Sequence, residues 1–192
     1  FCKNITNLNE LSKVIDKYLI PQELEKKTNA EVSTPFQLRQ EMLDTFPDTF
    51  WKSPNKVFEP CPGKGGFLLD IIHRFSIGLE KIIPDEKQRY KKILEECVYF
   101  CDINPTNIFI CKLLIDPYNE YTLNYHQGNT LDLNIQDKWG IEGFDAVIGN
   151  PPYQAVSLNG VSKGGGNNLY TKFIYYSDKI LKKEGFLLFI NP

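Results

Sequence analysis

Apolar residues recur along this chain with two different periods. Near the start, "NLNELSKVIDKYLI" sets Leu8, Leu11, Val14, Ile15, Tyr18 and Leu19 three or four positions apart, which is one face of a helix. A second helix is predicted within "EVSTPFQLRQEMLDTF", with Thr34 as N-cap, Pro35 at the first helical position and Gln37 completing a capping box. From Lys56 onward the pattern alternates. Short apolar runs predict strands over Lys56–Glu59, Val98–Asp102, Thr122–His126, Phe144–Gly149 and Phe186–Ile190. Helical runs lie between them, over Phe67–Phe75, Asp85–Glu96, Asn107–Leu114 and Leu169–Leu181. Alternation of this kind predicts an α/β fold, a parallel Rossmann-like doubly wound sheet covered by helices. The expected division is a helical segment over residues 1–50 and a sheet-based core over residues 51–192.

In such sheets ligands sit beyond the carboxyl ends of the strands, near the reversal of strand order. The residues after each predicted strand therefore matter most. The first strand runs into "EPCPGKGGF", where Gly63, Gly65 and Gly66 allow a sharp turn and a close backbone approach. Lys64 is followed by Gly65 where a Walker A loop needs Ser or Thr, so the segment is not a P-loop. Nor is it a full dinucleotide fingerprint. A plain tight turn explains the glycines equally well, and Glu59 at the strand tip is the feature that points to a ligand. The second strand ends in "CDINP". Asn104 is placed to cap the next helix ahead of Pro105, which leaves Asp102 free to accept ribose hydroxyls. After the third strand comes "GNTL". Asn129 there could meet an adenine edge, and a simple turn accounts for it as well.

The fourth strand stops at "NPPY", Asn150 to Tyr153. Prolines cannot donate to a ladder, and the residue before each is pushed to extended backbone. The tetrapeptide is stiff. It offers the Asn150 side-chain oxygen and the Pro151 carbonyl as two fixed acceptors, with the Tyr153 ring beside them. Two acceptors suit an NH2 group whose lone pair is delocalised. Holding its hydrogens out of the ring plane relocalises the pair on nitrogen and stabilises the positive charge that develops there. A rigid turn without chemistry is the alternative reading.

Composition narrows the setting. The 192 residues are 42% hydrophobic and 24% charged, within the range of globular proteins. The net charge of −2 supplies no overall basic field, so a nucleic-acid partner would need a local patch or another part of the protein. No apolar run is long enough for a membrane helix, and no membrane partner is expected. The five cysteines are odd in number and form no CxxC pair, which suggests reduced thiols in the cytoplasm. Only His73 and His126 could assist them as zinc ligands, at unsuitable spacings, so no metal site is expected. The Gly-rich stretch Asn159 to Asn168 reads as a loop. Opening on Phe1 and closing on "GFLLFINP", the chain reads as a piece of a longer protein.

Taken together, these segments resemble the S-adenosylmethionine-dependent amino-methyltransferases that act on the N6 amine of adenine in DNA, as in restriction-modification systems. The resemblance runs from about Ser33 to Pro192. It implies the class I methyltransferase sheet, in strand order 3-2-1-4-5, truncated after its fifth strand, with the Thr34 helix over the cofactor cleft. It implies S-adenosylmethionine as cofactor. Thr34 and Pro35 would meet its methionine carboxylate. Glu59, Pro60, Cys61, Gly63, Gly65 and Phe67 would form its loop. Asp102 would bind its ribose, Ile103 would pack on its adenine, and Asn129 with Thr130 would sit at the third motif. Asn150, Pro151, Pro152 and Tyr153 match the catalytic tetrapeptide, and Asn150 borders the cofactor too. The family usually has Asp where this chain has Asn129. DNA would be held largely by domains outside these residues, and the resemblance leaves room for a fused or associated restriction nuclease or specificity subunit. A protein-glutamine methyltransferase, an RNA amino-methyltransferase and a non-catalytic scaffold are the alternatives.

Overall fold

The computed structural model describes residues 7–19, 33–153 and 169–191. Its centre is a sheet of five parallel strands, β1 (Val57–Glu59), β2 (Val98–Asp102), β3 (Asn124–Gln127), β4 (Phe144–Gly149) and β5 (Leu181–Phe189). They lie in the order β3-β2-β1-β4-β5, the order that the family resemblance implies. The order reverses between β1 and β4, which makes the carboxyl ends of those two strands the crevice of the fold. Helices α1 (Leu8–Tyr18), α2 (Phe36–Leu43), α3 (Gly66–Gly78), α4 (Glu86–Lys92), α5 (Pro105–Ile115), α6 (Ile135–Trp139) and α7 (Leu169–Ile180) complete it.

Both faces of the central strands are covered, which is why they read as nearly unbroken apolar runs. On one face Val57, Phe100, Ala146 and Ile148 pack with Leu68, Ile71, Ile72 and Phe75 of α3 and with Leu11 and Ile15 of α1. On the other, Phe58, Tyr99 and Val147 pack with Ile135 of α6 and Ile180 of α7. The N-terminal helix thus shares its core with the sheet. At Asp145 and Ala146 both amides donate to the Lys56 carbonyl, and the register shifts there. This bulge places Phe144 on the same face as Val147, against Phe58 at 5.0 Å.

Several boundaries differ from expectation. Helix α2 begins at Phe36, with Pro35 as N-cap and no side-chain cap, so Thr34 is not the cap and no capping box forms. The amide of Phe36 donates instead to the Asp16 carboxylate on α1, and Gln37 bonds Glu41. The helix predicted over Asp85–Glu96 stops at Lys92 and widens into a π turn, Ile93–Cys97. The Asn124 amide closes that turn by donating to the Leu94 and Glu95 carbonyls. Strand β5 starts five residues earlier than predicted, broken by Glu184 at φ 71°. It is an edge of the described sheet, with Phe186 and Leu187 exposed. Helix α6 was not predicted, although Asn134 at its N-cap and left-handed Gly140 at its end are ordinary signals. The Gly-rich stretch Asn159–Asn168 lies outside the described residues.

Phe75 is wholly buried beneath Trp51, whose ring meets it edge-on at 5.1 Å. Phe75→Ala is expected to lower unfolding free energy by about 3–5 kcal/mol. Glu80→Ala, at the exposed end of the same segment, should stay within about 0.5 kcal/mol of wild type. Urea titration of the two variants checks this.

Candidate active site

All five strands point the same way, so the tips of β1, β2 and β4 share one edge. Hydrogen bonds tie the loop after β1 to the tip of β2 and to the loop after β3. Asp102, buried at the end of β2, accepts from the Gly63 amide at 3.2 Å, the Asn104 amide at 2.8 Å and the Asn107 side chain at 3.2 Å. Asp102 therefore also has a structural part, beside the ligand role expected of it. Its carboxylate already fastens the glycine loop to β2, because a buried charge needs donors around it. Asn104 does cap α5, accepting from Thr106. Lys64 donates to Asn107 at 2.9 Å and so braces the same group.

The glycine loop turns through left-handed backbone at Gly63 (φ 53°) and Gly65 (φ 85°), where side chains are strained. A Cβ on Gly66 would stand 2.8 Å from the Arg39 guanidinium carbon. Phe67 drops into the core below α3. The Pro60 carbonyl accepts from the Thr130 hydroxyl at 2.6 Å, which links the β1 loop to the β3 loop. Asn129 is exposed; its amide oxygen accepts from Leu131 and its nitrogen donates to Asp132. Ile103 is 63% exposed beside Asp102.

Glu59 differs from its neighbours. It is 2% exposed, and its Oε2 has no hydrogen-bond partner among the described residues. Burial pushes its carboxyl well above the usual range; Arg39 opposes this, while Asp70 and Asp102 reinforce it. An orphaned buried carboxylate oxygen at a strand tip, beside a loop that a Cβ would obstruct, fits a ligand bearing an ammonium or hydroxyl group. Cys61 lies next to it. Burial and the nearby Asp102 and Glu59 push its thiol well up, so it is not poised as a nucleophile.

Asn150 follows β4. Its side-chain nitrogen lies 3.2 Å from the Thr34 hydroxyl, 116 residues away in sequence. Pro151 is buried, Pro152 and Tyr153 are half-buried, and the Tyr153 carbonyl accepts from the first amide of α7. Thr34 itself is held by Arg39, whose Nη1 donates to its carbonyl. Pro35 is exposed. The structure thus gathers Glu59, the glycine loop, Asp102, Asn150 and Thr34 at one edge. Arg39, Asp70 and Asn107 were missed by sequence reasoning. The one signal available was Asp70 itself, a lone carboxylate inside the apolar run "FLLDII".

Residues 96–192, half of the chain, match the Eco57I restriction-modification methylase family. The chain belongs to that family. An uncharacterised adenine-specific methylase of Mycoplasma pneumoniae is 25% identical across 86% of this chain and 54% of its own length. The chain thus spans about half the length of that relative. The DNA-bound structure of LlaBIII, an ATP-dependent type ISP restriction-modification enzyme, superposes with a TM-score of 0.69 at 14% identity, covering 98% of this chain and 17% of that one. A Listeria monocytogenes protein described as a class I S-adenosylmethionine-dependent methyltransferase gives 0.57 at 15% identity, over 98% and 55%. At these identities the likeness shows the fold, which is that of the class I methyltransferases. Among the described residues, no helix of this Eco57I-family chain is long and apolar enough to cross a membrane.

The buried Glu59 carboxyl gives a pH signature. Its folded pKa is raised, so the native state holds a proton that the unfolded chain has released. The stability it contributes is complete below the unfolded carboxylate value and is lost as pH rises through the folded value. Without ligand, the wild-type protein is expected to lose stability relative to Glu59→Gln as pH rises above the ordinary carboxylate range. Denaturant unfolding at a series of pH values checks it. A difference independent of pH would mean that Glu59 is solvated.

Proposed function

We propose that this chain is the cofactor-binding and catalytic portion of a DNA adenine-N6 methyltransferase of a restriction-modification system, using S-adenosylmethionine. The observation that carries the reading is the Asn150 amide at the tip of β4. It is followed by the buried Pro151 and by Tyr153, on the same sheet edge as Glu59 and Asp102. Membership of the Eco57I family supports it.

The residues present suit the cofactor. Glu59 offers its unpaired carboxylate oxygen, the Gly63–Gly65 backbone permits close approach, and Asp102 is the acid for ribose hydroxyls. When bound, S-adenosylmethionine supplies an electrophilic methyl on sulfur. The protein's part is to prepare the acceptor. The target adenine leaves its helix, at a cost of a few kcal/mol, and stacks on Tyr153. Its amine donates to the Asn150 side-chain oxygen and the Pro151 carbonyl. Those two acceptors turn the nitrogen lone pair toward the methyl and stabilise the charge that forms on nitrogen. The methylated amine is acidic while cationic and gives its proton to water, so no general base is needed. DNA is gripped by parts of the protein beyond these strands, in keeping with the net charge of −2.

Tritiated S-adenosylmethionine offered with DNA, with RNA and with a release-factor-like protein tests the reading. Label is expected in DNA, on adenine. Label in RNA or in protein glutamine would overturn it, and so would label in none. Asn150→Ala should lower the single-turnover rate about a hundred- to a thousand-fold, the loss of roughly 2.7–4 kcal/mol from one preorganised acceptor. Tyr153→Ala should instead weaken capture of the base by about 1–3 kcal/mol, and Tyr153→Phe should be mild. Asn150→Ala at the wild-type rate would make the tetrapeptide a turn only.

A further inference from the structure

We propose that Glu59 exchanges a proton for the ammonium group of the cofactor: its carboxyl is neutral in the free protein and ionises as the ligand binds. The proposal rests on the reading of this sheet edge as an S-adenosylmethionine site. It adds which end of the ligand Glu59 meets and what leaves the protein in return.

Glu59 ends β1, a strand buried along its whole length. Side chains alternate along a strand, so Glu59 shares the face of Val57, whose core includes α3 and α1. Four groups that carry or can carry charge act on it. Arg39 comes from α2, Asp70 from α3, Asp102 from the neighbouring strand β2, and Cys61 from the loop after β1. Arg39 is the one cation of the four, and its bonds go elsewhere. Nε donates to Asp70 at 2.6 Å and Nη2 to the Ser12 hydroxyl at 2.7 Å. Nη1 donates to Asp16 at 2.8 Å and to the Thr34 carbonyl. The Gly63 and Asn104 amides and the Asn107 side chain donate to Asp102. Glu59 Oε2 is left buried with no hydrogen-bond partner.

Glu59, Asp70 and Asp102 thus share one guanidinium, which Asp16 also uses. If all of them ionised, negative charge would be in excess, and the carboxylate without donors would carry the heaviest cost. Leaving Glu59 neutral removes that cost. Burial acts in this direction first; Arg39 opposes it, and Asp70 and Asp102 reinforce it. The amino-acid end of the cofactor brings the cation that is lacking. An ammonium only donates, so it is matched by a carboxylate and not by a carboxyl that must itself donate. On binding, the O–H bond of Glu59 breaks, its electron pair stays on the carboxylate to accept from the ammonium, and the proton passes to water. A ligand hydroxyl would require no such change, since it can accept from a neutral carboxyl. Affinity should accordingly rise with pH until Glu59 ionises unaided.

Calorimetry on the intact protein counts the proton. The ligand is S-adenosylhomocysteine, which keeps the amino-acid end and has no methyl group to transfer. Titrations at about pH 6, above the ordinary carboxylate range and below that of an α-amino group, are repeated in buffers of different ionisation enthalpy. Wild type is expected to release about one proton per ligand bound. Glu59→Gln should bind more weakly and release close to none. Methylthioadenosine, which has the adenine and the ribose but no ammonium, should bind wild type with close to no release. Binding of S-adenosylhomocysteine without release would overturn the proposal and leave the cofactor reading standing. Equal release with methylthioadenosine would do the same, and it needs no variant to fold. Release retained in Glu59→Gln would assign the proton to another group and overturn the proposal as well. No binding of S-adenosylhomocysteine would remove the cofactor reading, and the proposal with it.

Discussion

A guanidinium taken out of water must find its acceptors inside the protein, and Arg39 finds them in three separate stretches of chain. Asp16 and Ser12 come from α1, the Thr34 carbonyl from the segment before α2, and Asp70 from α3. Each of those stretches is one layer of the same face of the sheet. Removing one partner from such a buried cluster costs about 3–5 kcal/mol, because it strands the charges that remain. In general an apolar core of the same volume stabilises a fold as well as such a cluster does. What the cluster supplies is direction. It sets where the N-terminal segment lies relative to the glycine loop and the tip of β4.

The sheet supplies the other half of the arrangement. With β1 and β4 adjacent and parallel, everything that follows them emerges at one edge. Short bonds then join the loops: Asp102 to Gly63, Thr130 to Pro60, Thr34 to Asn150. Among these satisfied groups the Glu59 oxygen stands apart, buried and without a partner. A fold that pairs nearly every other polar group around the edge keeps that one open at the strand tip, and a bound ligand is the natural reason.

Much of this was legible in the sequence where the signal is local. Two prolines after an apolar run end a strand whatever surrounds them, so β4 and the tetrapeptide were placed correctly. Asn104 before Pro105 capped its helix as read. Alternating strands and helices pointed to a parallel sheet, while the order of its strands came from the family resemblance. The misses came from partners far away in sequence. Thr34 looked like an N-cap because its competing partner, Asn150, is 116 residues distant. The bonds that tie Asp102 to the glycine loop were not legible, because two of its donors, Gly63 and Asn107, belong to other turns of the structure. Arg39 gave no sign at all, since a single arginine in an amphipathic helix is ordinarily a solvated one. The early start of β5 was hidden by "KKEG", which reads as the polar end of a helix.

The most direct measurement is a crystal structure of the protein with a non-reactive S-adenosylmethionine analogue bound. The account predicts the ligand at the edge formed by β1, β2 and β4, with a polar group on Glu59 Oε2, the Gly63–Gly65 backbone against it, and its transferable end facing Asn150. An analogue bound away from that edge, or one leaving Glu59 unpaired and pointing its transferable end away from Asn150, would contradict it.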